Sequence, residues 1–546
     1  MSTILGFNRS QINADNKDIS RLRSLVMTPF YGNNVIEVND IQTAYDLAVK
    51  SPGTIVTDLP IYKPEVMGLR KDSKVLLFND GSVTGRAAAA RRIQGFKGVD
   101  EDDLNKKVMD AIYDSRWGTL YHAQTVIGLD EDFMVRAHLL LPEGEENLLY
   151  NWMLNFQPLT TKYAEMYKES KKIEETDIFV FSDPQWSHPD HPMGLTYFDS
   201  EHNCAALLGM KYFGEHKKGT LTLAWSIANR NGYASCHGGA KTILHEGDDP
   251  YTMAVFGLSG SGKSTITHAK HGDKYEIKIL HDDAFVINVA EKYGIAMEPT
   301  YFDKTQDYPT DSPDNTYLLS LQNCGATVDD EGKIVPITQD IRNGNGRAIK
   351  SKLWSPNRVD RLSDPIDAIF WIMKDPTLPP LLRVNSKVMG TLMGATLSTK
   401  RTSAERLAKG VDPTALVIEP YANPFRTYPL ANDYRKFLEL IENDTACYIL
   451  NTGFYMDKKI PKEVTLGVIE NLVEKKDQWK PWLGLEEFDY MPVEGFEPDK
   501  QEEGYKDKAT HSFEVKLDYI ENLDDFNQLP DEAAQALRKV IETLKK

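Results

Sequence analysis

Met253-Ala254-Val255-Phe256-Gly257-Leu258-Ser259-Gly260-Ser261-Gly262-Lys263-Ser264-Thr265 passes from an apolar run through a glycine-rich turn into a helix-forming stretch. From Gly257 to Ser264 it matches GxxxxGK[ST] in full. The apolar part predicts a strand, and Thr265 to His271 can begin a helix. Strand, loop and helix in that order argue against a chance glycine-rich turn. The glycines let backbone N–H groups converge on phosphate oxygens. Lys263 supplies a point charge to the outer phosphates, and the Ser264 hydroxyl can hold Mg²⁺. The stretch therefore predicts an α/β unit that binds a nucleotide through Gly257, Leu258, Ser259, Gly260, Ser261, Gly262, Lys263, Ser264 and Thr265.

A metal-bound nucleotide needs a carboxylate near such a loop. Glu276 to Leu280 reads as a strand ending at His281-Asp282-Asp283. Two acids at a strand end suit a magnesium-holding role. Alone, an Asp pair is more often a turn or a helix cap.

Further out, Lys74 to Phe78, Asp177 to Phe181 and the longest apolar run, Ala368 to Met373, read as strands. His245 to Pro250 is polar and turn-forming, and is expected to be a junction between domains. Asp329 to Gly332 predicts a hairpin turn, and Asn343 to Gly346 another turn. Gln501 to Thr510 is highly charged and reads as a surface connection. The chain closes on an amphipathic helix with Asp531 as N-cap and Ala533, Leu537, Val540, Ile541 and Leu544 on one face.

The 546 residues carry 63 Lys+Arg against 81 Asp+Glu, a net charge of −18. That balance excludes general nucleic-acid binders and basic membrane-surface proteins, which need clustered cations. It leaves room for a local cationic pocket. No apolar run approaches the roughly 20 residues that span a bilayer, and the N-terminus lacks a signal-peptide pattern. Cys204, Cys236, Cys324 and Cys447 form no CxxC, which points to a reducing, cytoplasmic setting.

The loop spelling GLSGxGKST is narrower than the general motif. It resembles the kinase loop of ATP-type phosphoenolpyruvate carboxykinases. Other stretches resemble that family's signatures in order. Thr84-Gly85-Arg86 resembles its TGR, and Lys211 to Gly219 (KYFGEHKKG) its WYGGEMKKG. Ala234 to His237 (ASCH) resembles ASMH, and Asp282-Asp283 the family's acidic pair. Leu378 to Arg383 (LPPLLR) resembles LPPVSR, and Leu450 to Phe454 (LNTGF) resembles VNTGW. There are departures. AAAARRI follows Arg86, AFVI follows Asp283, and GGAK follows His237, where the family usually has other residues.

The resemblance implies an N-terminal mixed α/β substrate-binding domain over 1–245 and a C-terminal P-loop mononucleotide-binding domain over 246–546. It implies ATP, Mg²⁺ and Mn²⁺ as cofactors, a dicarboxylate as substrate, and no nucleic-acid or membrane partner. Lys218, His237 and Asp283 would hold Mn²⁺, while Ser264 and Asp282 would serve Mg²⁺. A Lys amine ligates only when neutral, and neighbouring cations, with Lys217 and Arg383 as candidates, would lower its pKa. Arg86 and Tyr212 would hold the substrate carboxylate. Arg383 would bridge the γ-phosphate and the accepting oxygen, and Ser259 would approach the reacting phosphate. The expected reaction is ATP-dependent conversion of oxaloacetate to phosphoenolpyruvate. A kinase acting on another small-molecule or protein acceptor, and a nucleotide-binding protein without turnover, are the alternatives.

Overall fold

Ala368 to Met373 carries no charge and is rich in β-branched and aromatic side chains, so it suits a strand covered on both faces. In the computed structural model all six of these residues are buried in one strand. Its two neighbours run parallel to it. Tyr251–Phe256 pairs Phe256 with Trp371, and Ala446–Asn451 pairs Asn451 with Met373. The structure describes residues 2–79, 85–245, 247, 249–258, 260–305, 308–309, 311–339, 345–400, 416–498 and 504–546. Thr84, Glu246, Asp248, Ser259, Asn343, Gly344, Gln501, Glu502 and Glu503 among the sequence readings lie outside these residues.

The described chain groups into two compact units. The first takes 1–227 and 297–356, and the second takes 228–296, 357–400 and 416–546. The first unit holds an eight-stranded sheet in the order Val35–Val38, Leu120–Asp130, Phe133–Pro142, Ile178–Asp183, Cys204–Leu208, Leu195–Asp199 and Arg91–Ile93, with Gln157–Pro158 beside Leu120–Asp130. Helices Arg21–Met27 and Glu101–Ser115 cover one face. Leu22, Val26, Leu104, Val108 and Ala111 pack against Phe179, Phe181, Tyr197 and Ala206. Helix Glu101–Ser115 starts where Asp100 accepts the Asp103 N–H, and three acids in its first turn complement the helix dipole. A smaller sheet runs Tyr301–Lys304, Arg347–Lys350, Leu318–Gln322, Lys74–Phe78, Ile55–Pro60. In it Leu76 lies beside Ser320, so the chain returns to complete a sheet begun far upstream.

The second unit is built on an eleven-stranded sheet. Its core strand Tyr233–Leu244 pairs with Tyr251–Phe256 on one side. On the other side it pairs first with Ala284–Asn288 and then with Glu276–His281. Met253, Val255, Ile266, Phe370, Ile372, Leu450 and Ile469 form the core on one face.

Ile243 lies beside Tyr251, so the strands before and after 245–250 pair in one sheet. Two readings change against the structure. Residues from Tyr505 onward form helix Tyr505–Glu521, with Tyr505, Ala509 and Thr510 buried; Lys506, Asp507 and Lys508, which suggested a surface connection, lie on its outer side. The final helix, Asp531–Lys545, buries the expected five apolar residues. Its N-cap, however, is Pro530, and Asp531 occupies the first turn, where its charge favours the dipole without capping a backbone N–H. Among the described residues no helix is long and apolar enough to cross a membrane.

Candidate phosphate-loop site

Tyr251–Phe256 delivers the chain to the loop, and helix Lys263–His268 receives it. Gly260 and Gly262 adopt φ of 75° and 102°, a region that side chains disfavour. The Ser261 N–H closes a turn on the Leu258 carbonyl at 3.0 Å, and the Ile266 N–H takes the Gly262 carbonyl at 3.0 Å. Gly257 has no room for a Cβ, which would meet Ser261 Oγ at 2.4 Å. The helix end is held by Lys241, a buried lysine whose ammonium donates to the carbonyls of Ile266 (2.7 Å) and Ala269 (3.0 Å). Burial pulls its pKa down to about 7.

The residues after His237 are Gly238 and Gly239, and the structure gives them a reason. A Cβ on Gly239 would stand 2.1 Å from Thr267 Oγ1 on the loop helix, and one on Gly238 would stand 2.5 Å from the Val255 carbonyl. The glycine pair lets helix, loop strand and Tyr233–Leu244 approach closely. At the same place Tyr233–Leu244 exchanges one neighbour for the other, and Asp282-Asp283 forms the link between those neighbours. His281 shapes that link. It is buried, and its Nδ1 accepts the N–H groups of Asp283 (3.1 Å) and Ala284 (3.3 Å).

His237, Lys263 and Asp283 are thus brought together. His237 Nε2 lies 3.1 Å from Asp283 Oδ1 and 3.4 Å from Lys263 Nζ. His237 Nδ1–H donates to the Ala422 carbonyl, which leaves the Nε2 lone pair on the Asp283 side. Asp282 lies on the loop-helix side, 3.5 Å from His268 Nε2 and hydrogen-bonded by Ser264. Burial works to raise its pKa. The hydrogen bond and charge of His268, with the Ser264 hydroxyl, outweigh burial and hold the carboxyl well below the usual range.

Arg383 is engaged elsewhere in the second unit. Its guanidinium donates to Asp489 Oδ2 (2.7 Å) and Asn385 Oδ1 (3.2 Å) and lies over the Trp479 ring at 4.5 Å. It pairs with Tyr448, two positions down the strand from Leu450, whose partner is Leu381.

The KYFGEHKKG residues lead into helix Phe213–Arg230, with Lys211 and Tyr212 just ahead of its first turn. Glu215 accepts the Ala87 N–H at 2.7 Å and so ties the helix start to the residue after Arg86. Arg86 is half-buried and follows Gly85, whose φ is 139°. Tyr212 packs on Gly214, where a Cβ would meet the ring at 2.4 Å. Burial raises the Tyr212 hydroxyl pKa against the opposing charge of Arg347. The Lys218 ammonium lies 5.4 Å over the Trp225 ring. Lys217 is fully buried and paired with Glu298 at 2.9 Å, and Asn155 donates to the same carboxylate. Its charge is therefore neutralised locally, so the expected repulsion of a Lys218 ammonium is small. Sequence reading passed over Arg91 in the AAAARRI stretch. It is half-buried over Phe198 (4.5 Å), donates to Thr222 (3.0 Å), and has its pKa pulled to about 10 by desolvation of its guanidinium, with Glu215 opposing and Arg86 assisting. Its only outward signal was a doubled arginine after small residues.

Among the described residues no three His, Cys, Asp or Glu side chains converge as a metal set. The pair His237 and Asp283 nevertheless suits a divalent cation. One nitrogen and one carboxylate oxygen stand 3.1 Å apart, and the far ring nitrogen is committed to a backbone carbonyl, the usual way a ligating histidine is oriented.

A mixed α/β chain with a phosphate loop at the end of a sheet strand is the class that these features define. A family model described as "Phosphoenolpyruvate carboxykinase" matches residues 70–491, and the chain belongs to that family. The phosphoenolpyruvate carboxykinase (ATP) of Aeropyrum pernix is 27% identical over 291 residues, covering 51% of this chain and 58% of that protein. That of Dictyostelium discoideum is 24% identical over 153 residues, covering 27% of this chain and 25% of that protein. The chain thus spans less than two thirds of the length of either relative.

Proposed function

We propose that the chain converts oxaloacetate and ATP to phosphoenolpyruvate, CO₂ and ADP. The observation that carries this reading is the meeting of His237, Lys263 and Asp283 beside the loop, within a chain of this family. Nucleotide binding alone needs no His–Asp pair next to the loop lysine.

Oxaloacetate would lose its carboxylate as CO₂, and the electron pair of the broken C–C bond would pass to an enolate oxygen. That oxygen would attack the γ-phosphorus of ATP, and the β,γ-bridging oxygen would leave with ADP. No covalent enzyme intermediate is needed, so the residues position groups and offset charge. Arg86, with Tyr212, would take the substrate carboxylate through its planar fork. Lys263, Ser259 and the remaining loop residues, Gly257 to Thr265, would hold the phosphates. Ser264 and Asp282 would hold Mg²⁺, and Lys218, His237 and Asp283 would hold Mn²⁺. Such ions, when bound, supply positive charge to phosphate and enolate oxygens. Arg383 would serve the transferring phosphoryl group by exchanging Asp489 for it. Four buried cysteines in 546 residues are too sparse for a disulfide framework, which supports a reducing compartment such as the cytoplasm.

A second reading, a kinase on another acceptor, is favoured by the engagement of Arg383 with Asp489 and by the altered residues after Arg86 and Asp283. A coupled assay with oxaloacetate, ATP and Mn²⁺ decides. Phosphoenolpyruvate formation is expected. ATP consumption on another acceptor, with no phosphoenolpyruvate, would replace the first reading by the second.

A further inference from the structure

We propose that Lys374 and Thr452 are positioning residues that hold the phosphate loop in its anion-binding shape. The inference rests on the reading of that loop as an ATP site and adds two residues to it. Neither has an assigned part in the reaction above.

Tyr251–Phe256, Ala368–Met373 and Ala446–Asn451 are adjacent and parallel, so they end at one edge. The residues that leave that edge are Gly257, Lys374 and Thr452. Lys374 Nζ donates to the Gly260 carbonyl at 2.9 Å, and Thr452 Oγ1 donates to the Ser261 carbonyl at 2.8 Å. Two consecutive peptide groups of the loop are therefore gripped from outside by two neighbouring strand ends.

A peptide is planar and trans, so its N–H points opposite to its carbonyl. With the Gly260 carbonyl on Lys374, the Ser261 N–H is turned to the far side, where it closes on Leu258. With the Ser261 carbonyl on Thr452, the Gly262 N–H is turned away from Thr452, and Gly262 follows at its φ of 102°. The grip thus sets which way the loop's donors face.

The anchors are themselves fixed. The Thr452 N–H donates to Met373 at 3.2 Å. Its neighbour Asn451 is fully buried and donates to three carbonyls, those of Asp375 (3.0 Å), Leu378 (2.6 Å) and Phe454 (2.9 Å). Lys374 is half-buried, and among the described residues no carboxylate pairs with it. Burial and the charge of Lys400 lower its pKa. An ammonium with no acid partner adds positive potential beside the loop as well as a hydrogen bond.

The test uses the full-length chain, with MgATP affinity measured by calorimetry, steady-state KM for ATP and kcat, and the melting temperature. Thr452→Val should weaken MgATP about three- to tenfold, and Lys374→Met about tenfold or more, in line with losing a neutral and a charged hydrogen bond. The change should fall on KM and Kd rather than on melting temperature. Thr452→Ser should stay within about twofold of the parent, and Lys374→Arg should lose less than Lys374→Met. Unchanged affinity in Thr452→Val and Lys374→Met would overturn the inference, as would a Thr452→Ser variant as impaired as Thr452→Val. If the parent chain itself fails to bind MgATP, the reading of the loop is what failed, and the inference falls with it.

Discussion

His237 shows how one side chain acquires a role. Its Nδ1–H is committed to the Ala422 carbonyl, so the ring presents Nε2 to Asp283 and Lys263. His237→Ala and Lys218→Ala should each lower the Mn²⁺-dependent rate by about 10²-fold or more, the scale of losing one preorganised charge-stabilising group. Assays across a Mn²⁺ titration check this, and an unaffected rate would refute the assigned cation site. Gly239 is the complementary case, a residue defined by what it lacks. Gly239→Ala would press a Cβ against Thr267 Oγ1, a buried hydroxyl with no hydrogen-bond partner among the described residues. The expected cost is about 1–3 kcal/mol. Urea unfolding should show it, and Thr267→Ala in the same chain should recover part of it. The GK[ST] residues were legible because the motif is local. The reason for Gly238 and Gly239 was not, because it lies in backbone and side chains that approach only in the folded sheet.

Helix Leu430–Glu442 turns inward an apolar stripe that sequence reading did not single out, and with it the acid Asp433. Asp433 is buried, with Tyr428 and Asn229 donating to one carboxyl oxygen. Burial raises its pKa to about 7, against the charges of Arg426 and Lys436 and the Tyr428 hydrogen bond. The folded state therefore binds this proton more tightly than the unfolded chain. The associated stability is complete below about pH 4 and is lost as pH rises through about 7, on the order of 4 kcal/mol in all. Asp433→Asn should flatten that fall. Denaturant midpoints at pH 5 and pH 8 would measure it, and an unchanged pH slope would count against a protonated Asp433. The strand Ala368–Met373 was legible from composition alone. Its two parallel neighbours were not, since they lie far away in the sequence, and with them went the grip of Lys374 and Thr452 on the loop.

For the whole molecule, the net charge of −18 describes the surface average, while Lys263, Lys374 and Lys400 belong to the second unit. The larger lesson concerns chain order. Lys74–Phe78 lies between Ile55–Pro60 and Leu318–Gln322, so the first unit draws on a segment more than two hundred residues downstream. No local signal in 297–356 announces that return, because pairing depends on a partner strand that the segment does not contain. A fragment of residues 1–227 would expose one side of Lys74–Phe78, leaving Leu76 and Leu77, which are fully buried in the whole chain, without cover. Such a fragment should lack a cooperative thermal transition, and a sharp one by calorimetry would show that the returning strand is dispensable.

The strand Tyr233–Leu244 takes all three of its neighbours from the stretch that ends at Asn288. His237, Lys263, Asp282 and Asp283 therefore meet through short loops, whose closure costs little chain entropy. The Ala368–Met373 and Ala446–Asn451 strands close far longer ones. During refolding, amides of Tyr233–Leu244 should gain protection from pulse-labelled hydrogen exchange before those of Ala446–Asn451. The corner that brings His237, Asp282 and Asp283 together would then take shape ahead of the grip on the phosphate loop beside it.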